Sequence, residues 1–388
     1  AKEPSINLKV FFRSDFSVKA HIDPEFKTEI QWDVDMLNGY DYDFLPAWGT
    51  ANHISFWYPL NFGLLKMLKE AKIKILWLHG YTSLFSIITI VVAKINGIKV
   101  LLRDEANFIS KKRGYLKRIA KRITYFGLNC FSDGFLAIGT LNKQYYLENG
   151  IPSEKIFPMP YAVDNVFFQK QPENYSGLAL RETMGLEPGR PIVLFAGKLI
   201  ARKGPFELVE AFRQVVEKIT PRPYLILVGE GELKSELKEY AIMHEIEKDV
   251  FFTGFMNQKE LTQLYHLCDL FVLPSRFEPW GLVVNEVMNA GKAVITSDQV
   301  GSSKDLVQPG INGYIYKTGD VGELSSAIGK VFTNRAKYQE MGLASLKIIS
   351  NWSFEQDIDG LRQAIKSMAN NIQKPSSLSE SKQRWRKR

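Results

Sequence analysis

The sequence predicts an α/β protein built from two doubly wound Rossmann-like domains that face each other across a cleft. At 388 residues the chain exceeds what one hydrophobic core usually holds. In both halves, short apolar runs alternate with segments of helical periodicity, a pattern typical of parallel sheets covered by helices. A stretch rich in proline, glycine and polar residues, 169–189, separates the halves. We therefore predict domains at residues 1–170 and 171–351.

The first half is expected to hold strands at 8–12, 73–78, 98–102 and 134–138, with helices after most of them. Between the first two strands, the region 26–58 is rich in aromatic residues and lacks a clear period. We interpret it as an irregular loop over the cleft. An apolar run at 84–93 is too short to span a bilayer and is predicted to be a buried helix.

The second half alternates more regularly. Strands are expected at 191–196, 224–228, 250–253, 270–273 and 293–296, with helices at 205–219, 232–244, 259–267, 281–290 and 325–332. A helix at 338–350 follows, and one at 352–372 is expected to cross back to the first domain. Residues 373–388 form a basic tail, predicted to be disordered.

Composition narrows the class of protein. The chain is 45% hydrophobic and 24% charged, as in ordinary globular proteins. Its only cysteines, Cys130 and Cys268, fit no metal-ligand spacing and are expected to be buried thiols of a reducing compartment. The polar opening, 1–8, lacks the pattern of a secretory signal. We expect a cytoplasmic protein without metal or cofactor.

The positive charge is unevenly distributed along the chain, whose formal net charge is +8. Apolar residues at helical spacing accompany one cationic cluster and predict a basic amphipathic helix: Leu116, Ile119, Ile123 and Phe126. The cations are Lys111, Lys112, Arg113, Lys117, Arg118, Lys121 and Arg122. This helix and the tail are expected either to contact the inner face of an anionic membrane or to be solvated surface. Nucleic-acid binding is disfavoured, because aromatic side chains do not alternate with these cations.

Two glutamates, Glu278 and Glu286, bracket a predicted helix start after a buried strand. Pro279 and Gly281 suit the first helical positions, where free backbone N–H groups bind anions. Glu286 would then lie about two turns inside the helix. The alternative is structural, since glutamates favour helix N-termini and solvated helix faces.

Three other strand ends are expected at the same sheet edge. Gly197 and Lys198 open a loop that continues to Arg202 and Lys203, where cations beside glycine can neutralise a diphosphate. A second strand ends before Glu230, in a sequence that lacks the G-x-G-x-x-G spacing of a dinucleotide fold. A third ends before two residues expected near a planar base, Phe255 and Met256.

Residues 197–316 resemble the nucleotide-sugar-binding domain of glycosyltransferase family 4, retaining enzymes of the GT-B fold. The resemblance rests on the two glutamates with their flanks and on the Lys203-Gly204 loop. It implies a metal-independent front-face transfer from a nucleotide-diphosphate sugar, a UDP-sugar, to a glycan or lipid-linked acceptor. The first half resembles a subgroup that assembles polysaccharides and surface glycans. The first domain would then bind acceptor and the second domain donor.

The resemblance also implies residue roles. Lys198 and Lys203 contact the diphosphate, Glu278 holds sugar hydroxyls, and Glu286 binds ribose. The backbone at Trp280, Gly281 and Leu282 meets phosphate. The family usually has arginine in place of Lys198, so bidentate phosphate binding is lost at this position unless Arg202 substitutes. Gly301-Ser302 replaces a usual glycine pair.

The first-domain contact to the sugar is open between His79 and Arg103. Arg103 could instead form an ion pair with Asp104 or Glu105. Two other functions also remain open: a phosphorylase or nucleotide-sugar epimerase on the same fold, and a basic membrane- or nucleic-acid-binding protein.

Overall fold

The computed structural model describes residues 5–15, 18, 21–23, 28–30, 37–48, 55–109, 114–172 and 175–373. The predictions for Lys111, Lys112 and Arg113 and for the basic tail beyond residue 373 lie outside these ranges. Two parallel sheets dominate the described structure, one in each half of the chain. Across the described residues, no helix combines the length and hydropathy that a bilayer crossing needs.

The first large sheet has four parallel strands in the order β10-β9-β8-β7. The strands are β7 (Ile75–His79), β8 (Lys99–Arg103), β9 (Gly134–Ala137) and β10 (Ile156–Pro158). Helices on one face enclose a core with this sheet. They are α1 (Leu64–Glu70), α2 (Leu84–Ile95), α3 (Tyr115–Phe131) and α4 (Thr140–Glu148).

Small strand pairs precede this sheet. They are β1 (Lys9–Phe12) with β4 (Asp41–Phe44), β2 (His21–Asp23) with β3 (Thr28–Ile30), and β5 (Ala47–Trp48) with β6 (Leu60–Asn61). The prediction of an irregular loop over 26–58 was wrong for β4, which pairs in parallel with β1. Tyr40, Tyr42 and Phe44 alternate with polar residues and gather around Phe12. This period of two is the strand signal that the many aromatics obscured.

The second sheet has six parallel strands in the order β13-β12-β11-β14-β15-β16. They are β11 (Ile192–Ala196), β12 (Tyr224–Val228), β13 (Val250–Gly254), β14 (Leu270–Leu273), β15 (Ala293–Ser297) and β16 (Gly313–Tyr316). Separate apolar clusters cover its two faces, as expected for a doubly wound sheet.

Nine α-helices accompany the second sheet within the described residues. They are α5 (Asn165–Gln169), α6 (Gly177–Thr183), α7 (Pro205–Val215), α8 (Lys234–Met243), α9 (Gln258–Leu267), α10 (Leu282–Asn289), α11 (Ser303–Leu306), α12 (Val321–Val331) and α13 (Arg335–Ile349). The predicted start of α12 at residue 325 was wrong. The Asp320 side chain caps that helix by accepting a hydrogen bond from Glu323 N at 2.8 Å, so α12 begins at Val321.

The last helix, α14 (Phe354–Gln373), returns to the first sheet. Its Ala364 and Met368 pack with Leu101 and Leu136 on the face opposite α2 and α3. The carboxyl ends of the strands in both sheets lie toward one another, as contacts between the loops that follow them show. The cleft between these edges is the place where open α/β sheets bind ligands.

Two predictions of burial in the first half were wrong. Cys130 is exposed, whereas Cys268 is buried as predicted. Helix α2 is not fully buried, because Ile87 and Ile88 face outward. Both findings have one cause: α2 and α3 each turn an apolar side away from the sheet.

Candidate active site

The loop after β14 and the start of α10 form the centre of the site. Gly281 precedes the helix with φ 92°, a left-handed conformation, and a Cβ there would lie 3.0 Å from Leu273 Cδ2. The helix begins at Leu282, so the predicted place of Pro279 in its first turn was wrong. Glu286 consequently lies about one turn inside rather than two. Val284 N already donates to Gly281 O at 2.9 Å, so the N–H groups of Leu282 and Val283 are the ones left at the helix start for an anion.

The segment 278–281 is fixed from behind by the loop after β15. Glu278 N donates to Gln299 O at 3.0 Å, and Gly301 N donates to Glu278 O at 2.9 Å. A Cβ on Gly301 would lie 1.8 Å from Pro279 O. Only glycine allows the two backbones to approach this closely. Gly301 is therefore part of the support of the helix start.

Lys203 forms an ion pair with Glu278 directly beside this helix start. The two side chains are 18% and 13% exposed, so the pair is largely removed from water but still open to the cleft. Ser275 Oγ lies 3.4 Å from the same carboxylate oxygen of Glu278. Gly204 has φ 67°, and a Cβ there would lie 2.2 Å from Pro274 O. The Lys203-Gly204 sequence thus brings a lysine onto the glutamate loop.

Arg202 lies beside the same pair but is exposed. Its guanidinium donates to Phe277 O at 3.3 Å, and its backbone carbonyl accepts a hydrogen bond from Arg276 N at 2.8 Å. The two loops are therefore joined by backbone and side-chain contacts. An exposed guanidinium at this point is free to reorient toward a phosphate.

The remaining predicted donor-binding residues surround this centre at the same sheet edge. A Cβ on Gly229 would lie 2.0 Å from Gly197 O, so the loops after β11 and β12 are in close contact. Leu199 N donates to Glu230 O at 2.8 Å, while the Glu230 carboxylate pairs with Lys234 at 2.6 Å. Lys198, Phe255 and Met256 are half-buried along this edge.

The Trp280 side chain is buried. Its indole Nε1 donates to Asn285 Oδ1 at 2.9 Å, and its ring lies 5.3 Å from that of Trp352 and 6.0 Å from that of Tyr161. Asn285 in turn donates to Tyr161 O at 3.1 Å. Only the backbone of Trp280 is left for the predicted phosphate contact. The indole instead holds the loop against the first half of the chain.

Glu286 accepts a hydrogen bond from the buried Tyr265 hydroxyl at 2.7 Å. Burial raises the pKa of Glu286, while the Tyr265 bond acts in the opposite direction. A carboxylate with one oxygen satisfied by tyrosine retains acceptor capacity for hydroxyl groups. Sequence reasoning missed Tyr265, since nothing in its helix distinguishes it from an ordinary core aromatic.

His79 and Arg103 end neighbouring strands and are paired in register across β7 and β8. His79 is exposed at the cleft edge, with its ring 4.9 Å from that of Trp77. The surrounding protein and then the positive charge of Arg103 lower the pKa of His79 to about 4. The imidazole is therefore neutral near pH 7 and can both donate and accept a hydrogen bond.

Arg103 is only 6% exposed and is held by protein groups. It donates to Met159 O at 3.0 Å and to the Asp357 carboxylate at 3.3 Å. The predicted ion pair with Asp104 or Glu105 was therefore wrong. Side chains alternate along a strand, so Arg103 shares the α14 face with Leu101 and meets Asp357 of that helix. This position links the last helix to the first sheet.

Three further residues connect the two sheet edges, and sequence reasoning missed them. Asn107 Nδ2 donates to Pro279 O at 3.0 Å. Thr140 N donates to Asp305 Oδ2 at 3.0 Å, so an aspartate from the second half caps helix α4 of the first. Asn107 and Thr140 follow strands of the first sheet, and that position was the available signal. Their partners could not be predicted because they are distant in sequence.

The described residues offer no cluster of three or more histidine, cysteine, aspartate or glutamate side chains arranged for a metal ion. The groups gathered at the cleft are instead lysines, an arginine, a helix N-terminus and glutamates. Such a set is suited to a ligand that combines phosphate groups with hydroxyl groups.

Comparisons with known proteins point to one family for the second half. Residues 179–347 match the model of the glycosyl transferases group 1. An uncharacterized glycosyltransferase, MJ1607 of Methanocaldococcus jannaschii, is 31% identical over 34% of this chain, which spans only 33% of that relative. The Escherichia coli UDP-Gal:alpha-D-GlcNAc-diphosphoundecaprenol alpha-1,3-galactosyltransferase is 23% identical over 77% of this chain and 76% of its own length.

Among solved structures, Anabaena Alr3699/HepE in complex with UDP superposes with a TM-score of 0.67. The match has 19% sequence identity and covers 85% of this chain and 86% of that one. Such a likeness confirms the predicted fold of two Rossmann-like domains, the GT-B fold. The family match includes both the Lys203-Gly204 loop and the two glutamates. Over residues 179–347 it therefore supports the resemblance that these motifs indicated, to a group 1 glycosyl transferase.

Proposed function

We propose that this chain is a retaining glycosyltransferase that moves a sugar from a nucleotide-diphosphate sugar, a UDP-sugar, to a glycan or lipid-linked acceptor without a metal ion. In this proposal residues 171–351 bind the donor and residues 1–170 bind the acceptor. The enzyme acts in the cytoplasm, at the inner face of a membrane.

One observation carries the proposal: the Lys203–Glu278 ion pair lies at the N-terminus of α10, within the segment that matches the group 1 model. A diphosphate at this helix start would interact with its N–H groups and with Lys203. Lys198 and Arg202 lie on the same loop and would share the charge. One carboxylate oxygen of Glu278 faces Lys203. The other oxygen remains for the hydroxyls of the sugar.

The chemical task at this point is to stabilise a leaving diphosphate. Positive groups that are fixed before the reaction stabilise the developing charge without reorganisation. In a front-face transfer, a phosphate oxygen takes the acceptor proton, so the site needs no pair of carboxyl groups at glycosidase separation. In this proposal neutral His79 orients a hydroxyl from the first sheet, and Glu286 with Tyr265 holds the ribose.

Named relatives support the choice of donor and acceptor. The Escherichia coli relative carries UDP-Gal and a diphosphoundecaprenol-linked sugar in its name, and the Anabaena structure contains UDP. We infer the same classes for this chain: a uridine diphosphate sugar and an acceptor carried by a glycan or a lipid diphosphate.

The test begins with a thermal-shift screen of UDP-, GDP- and ADP-sugars on the whole chain. The best donor is then assayed for transfer to lipid-diphosphate and soluble glycan acceptors. We expect Lys203→Ala and Glu278→Ala each to lower kcat/KM on the order of 10²- to 10³-fold, as removal of a transition-state contact does. Circular dichroism and the unfolding midpoint check that both variants fold.

A matched control is the pair Lys66→Ala and Glu70→Ala, an exposed ion pair on α1 far from the cleft, which should leave turnover unchanged. NMR of the product should show retention at the anomeric carbon, and EDTA should not lower the rate. Wild-type turnover in both site variants would refute the proposal. So would phosphate-dependent sugar release or donor epimerisation without acceptor.

A further inference from the structure

Helices α2 and α3 contact each other, and each exposes several large apolar side chains on the first domain. We propose that this surface docks the protein onto an anionic lipid bilayer, with its apolar side chains inserted at the headgroup boundary. We call it the apolar helix face. Its members are Ile87, Ile88, Ile95, Tyr115, Leu116, Ile119, Ile123 and Phe126.

Helix α3 turns its apolar side outward. Its buried residues are Tyr125 and Leu128, whereas Leu116 is 79% exposed and Phe126 is 70% exposed. At 3.6 residues per turn, Tyr115, Ile119, Ile123 and Phe126 fall on the side of the helix opposite the two buried residues. A surface helix normally shows the reverse pattern, with its apolar stripe toward the core.

Helix α2 extends the same surface without a charge. Ile87 and Ile88 are adjacent, and Ile95 follows Ile88 by seven residues, about two turns, with 77% of the residue exposed. The single cation of the helix, Lys94, is engaged with Asp133 at its end. Two adjacent helices that both expose several large apolar side chains indicate an interaction site.

Charge identifies the occupant as an anionic lipid surface. Lys117, Arg118 and Arg122 are exposed on α3 and flank its apolar stripe. The sequence contains no acidic residue from 106 to 132. Apolar residues bordered by cations are the arrangement by which in-plane helices bind anionic membranes. A second copy of this chain would bring the same cations face to face and is disfavoured by repulsion.

The apolar helix face also selects between the two acceptor classes, a step that rests on the proposed function. Asn107, which contacts Pro279 across the cleft, and Tyr115, the first residue of α3, are separated by a short segment. Tyr125 of α3 donates to Asp104 at 2.8 Å, and Asp104 directly follows β8, so this helix is tied to the carboxyl edge of the first sheet. A bilayer held there would present a lipid-linked acceptor, with its head group reaching into the cleft.

Flotation of the whole chain with vesicles tests the docking surface. Vesicles of 7:3 phosphatidylcholine and phosphatidylglycerol should bind the protein, and pure phosphatidylcholine vesicles should bind it far more weakly. Lys117→Gln, Arg118→Gln and Arg122→Gln together should weaken binding on the order of 100-fold, because each cation near such a surface contributes about fivefold. Leu116→Ser with Phe126→Ser should abolish binding at physiological salt.

Controls come from the second domain. Ile242→Ser with Met243→Ser removes similarly exposed apolar side chains from α8, and Lys218→Gln, Lys248→Gln and Lys347→Gln together remove three exposed cations. Neither control should change binding. Lack of binding by the wild type, or equal binding by the α3 variants, would overturn the proposal. A dimer in sedimentation velocity that these variants dissociate would assign the surface to a second copy instead.

Vesicle binding is measured without donor or acceptor. The docking proposal is therefore tested separately from the proposed transferase activity. The α3 variants should keep acceptor-free hydrolysis of the donor, because they do not touch the candidate active site. They should lose transfer to a vesicle-embedded acceptor while retaining transfer to the same head group in detergent-free soluble form. Equal loss toward both acceptors would contradict the assignment of a lipid-linked substrate.

Discussion

The two sheets present their carboxyl edges to the same cleft, but the two edges are held together differently. In the second sheet, adjacent loops touch through their backbones, at Gly229 with Gly197, at Gly204 with Pro274 and at Gly301 with Pro279. In the first sheet, side chains form the edge: Lys121 donates to Tyr81, and Tyr125 donates to Asp104 at 2.8 Å. Backbone contacts demand glycine and leave a mark in the sequence, whereas side-chain networks between distant elements do not.

The largest effect is expected when one methyl group is added at a close backbone contact of the second sheet. This change tests whether the site depends on that contact. In Gly301→Ala, the new Cβ would meet Pro279 O at 1.8 Å, so the 278–281 segment must shift. We expect transfer to fall by about 10²-fold or more, since a displacement of about 1 Å at a positioned site can have that effect. The measurement is kcat/KM for donor, with urea unfolding to record stability.

Gly127→Ala is the matched control on the first domain. Gly127 lies in α3, and a Cβ there would have nothing within 4 Å. Alanine should stabilise the helix by about 0.5–1 kcal/mol and leave transfer unchanged. Equal activity of the Gly301 variant and this control would mean that the close backbone approach does not position the site.

This contrast explains which parts of the molecule the sequence predicted. The parallel strands of both halves, the Lys203-Gly204 loop and the two glutamates all have local signals: apolar runs, strand-end glycines and a charged pattern at a helix start. The ion pair of Arg103 with Asp357 had no local signal in the sequence, because Asp357 lies on α14, which is far from Arg103 along the chain. The sequence also did not show that the apolar side of α3 faces solvent. Helical spacing predicts an apolar stripe on a helix, but not whether that stripe faces the core.

A second test breaks the link between the two edges. Asn107→Ala removes the side-chain donor to Pro279 O, the contact by which the first domain supports the helix start. The loop keeps its bonds to residues 299–301, so we expect a moderate change: about a tenfold decrease in kcat/KM, mostly through a higher donor KM. Steady-state kinetics with varied donor separate the two parameters.

Asn96→Ala is the corresponding control, since Asn96 is an exposed asparagine whose side chain bonds within the end of α2, to Val92 O. It should leave both parameters unchanged. If Asn107→Ala lowered the unfolding temperature without altering donor KM, the contact would serve folding alone and the two edges would act independently.

The smallest effect is expected at Glu286, a half-buried carboxyl group on α10 of the second domain. Burial raises its pKa above the ordinary 4.5, so the folded chain holds this proton more tightly than the unfolded chain. The stability gained from the protonated form is therefore complete below pH 4.5 and is lost as pH rises through the folded pKa. Glu286→Gln removes this loss while its amide oxygen can still accept the Tyr265 hydrogen bond. Thermal unfolding should show the variant matching wild type at pH 4 and exceeding it at pH 7, whereas the exposed control Glu247→Gln should show no such divergence.

Glu286→Gln should also weaken donor binding at pH 7, because a neutral amide is a poorer acceptor for two ribose hydroxyls than a carboxylate. A variant that gained stability but kept full donor affinity would remove Glu286 from the site and leave it as a half-buried residue of α10 that destabilises the fold.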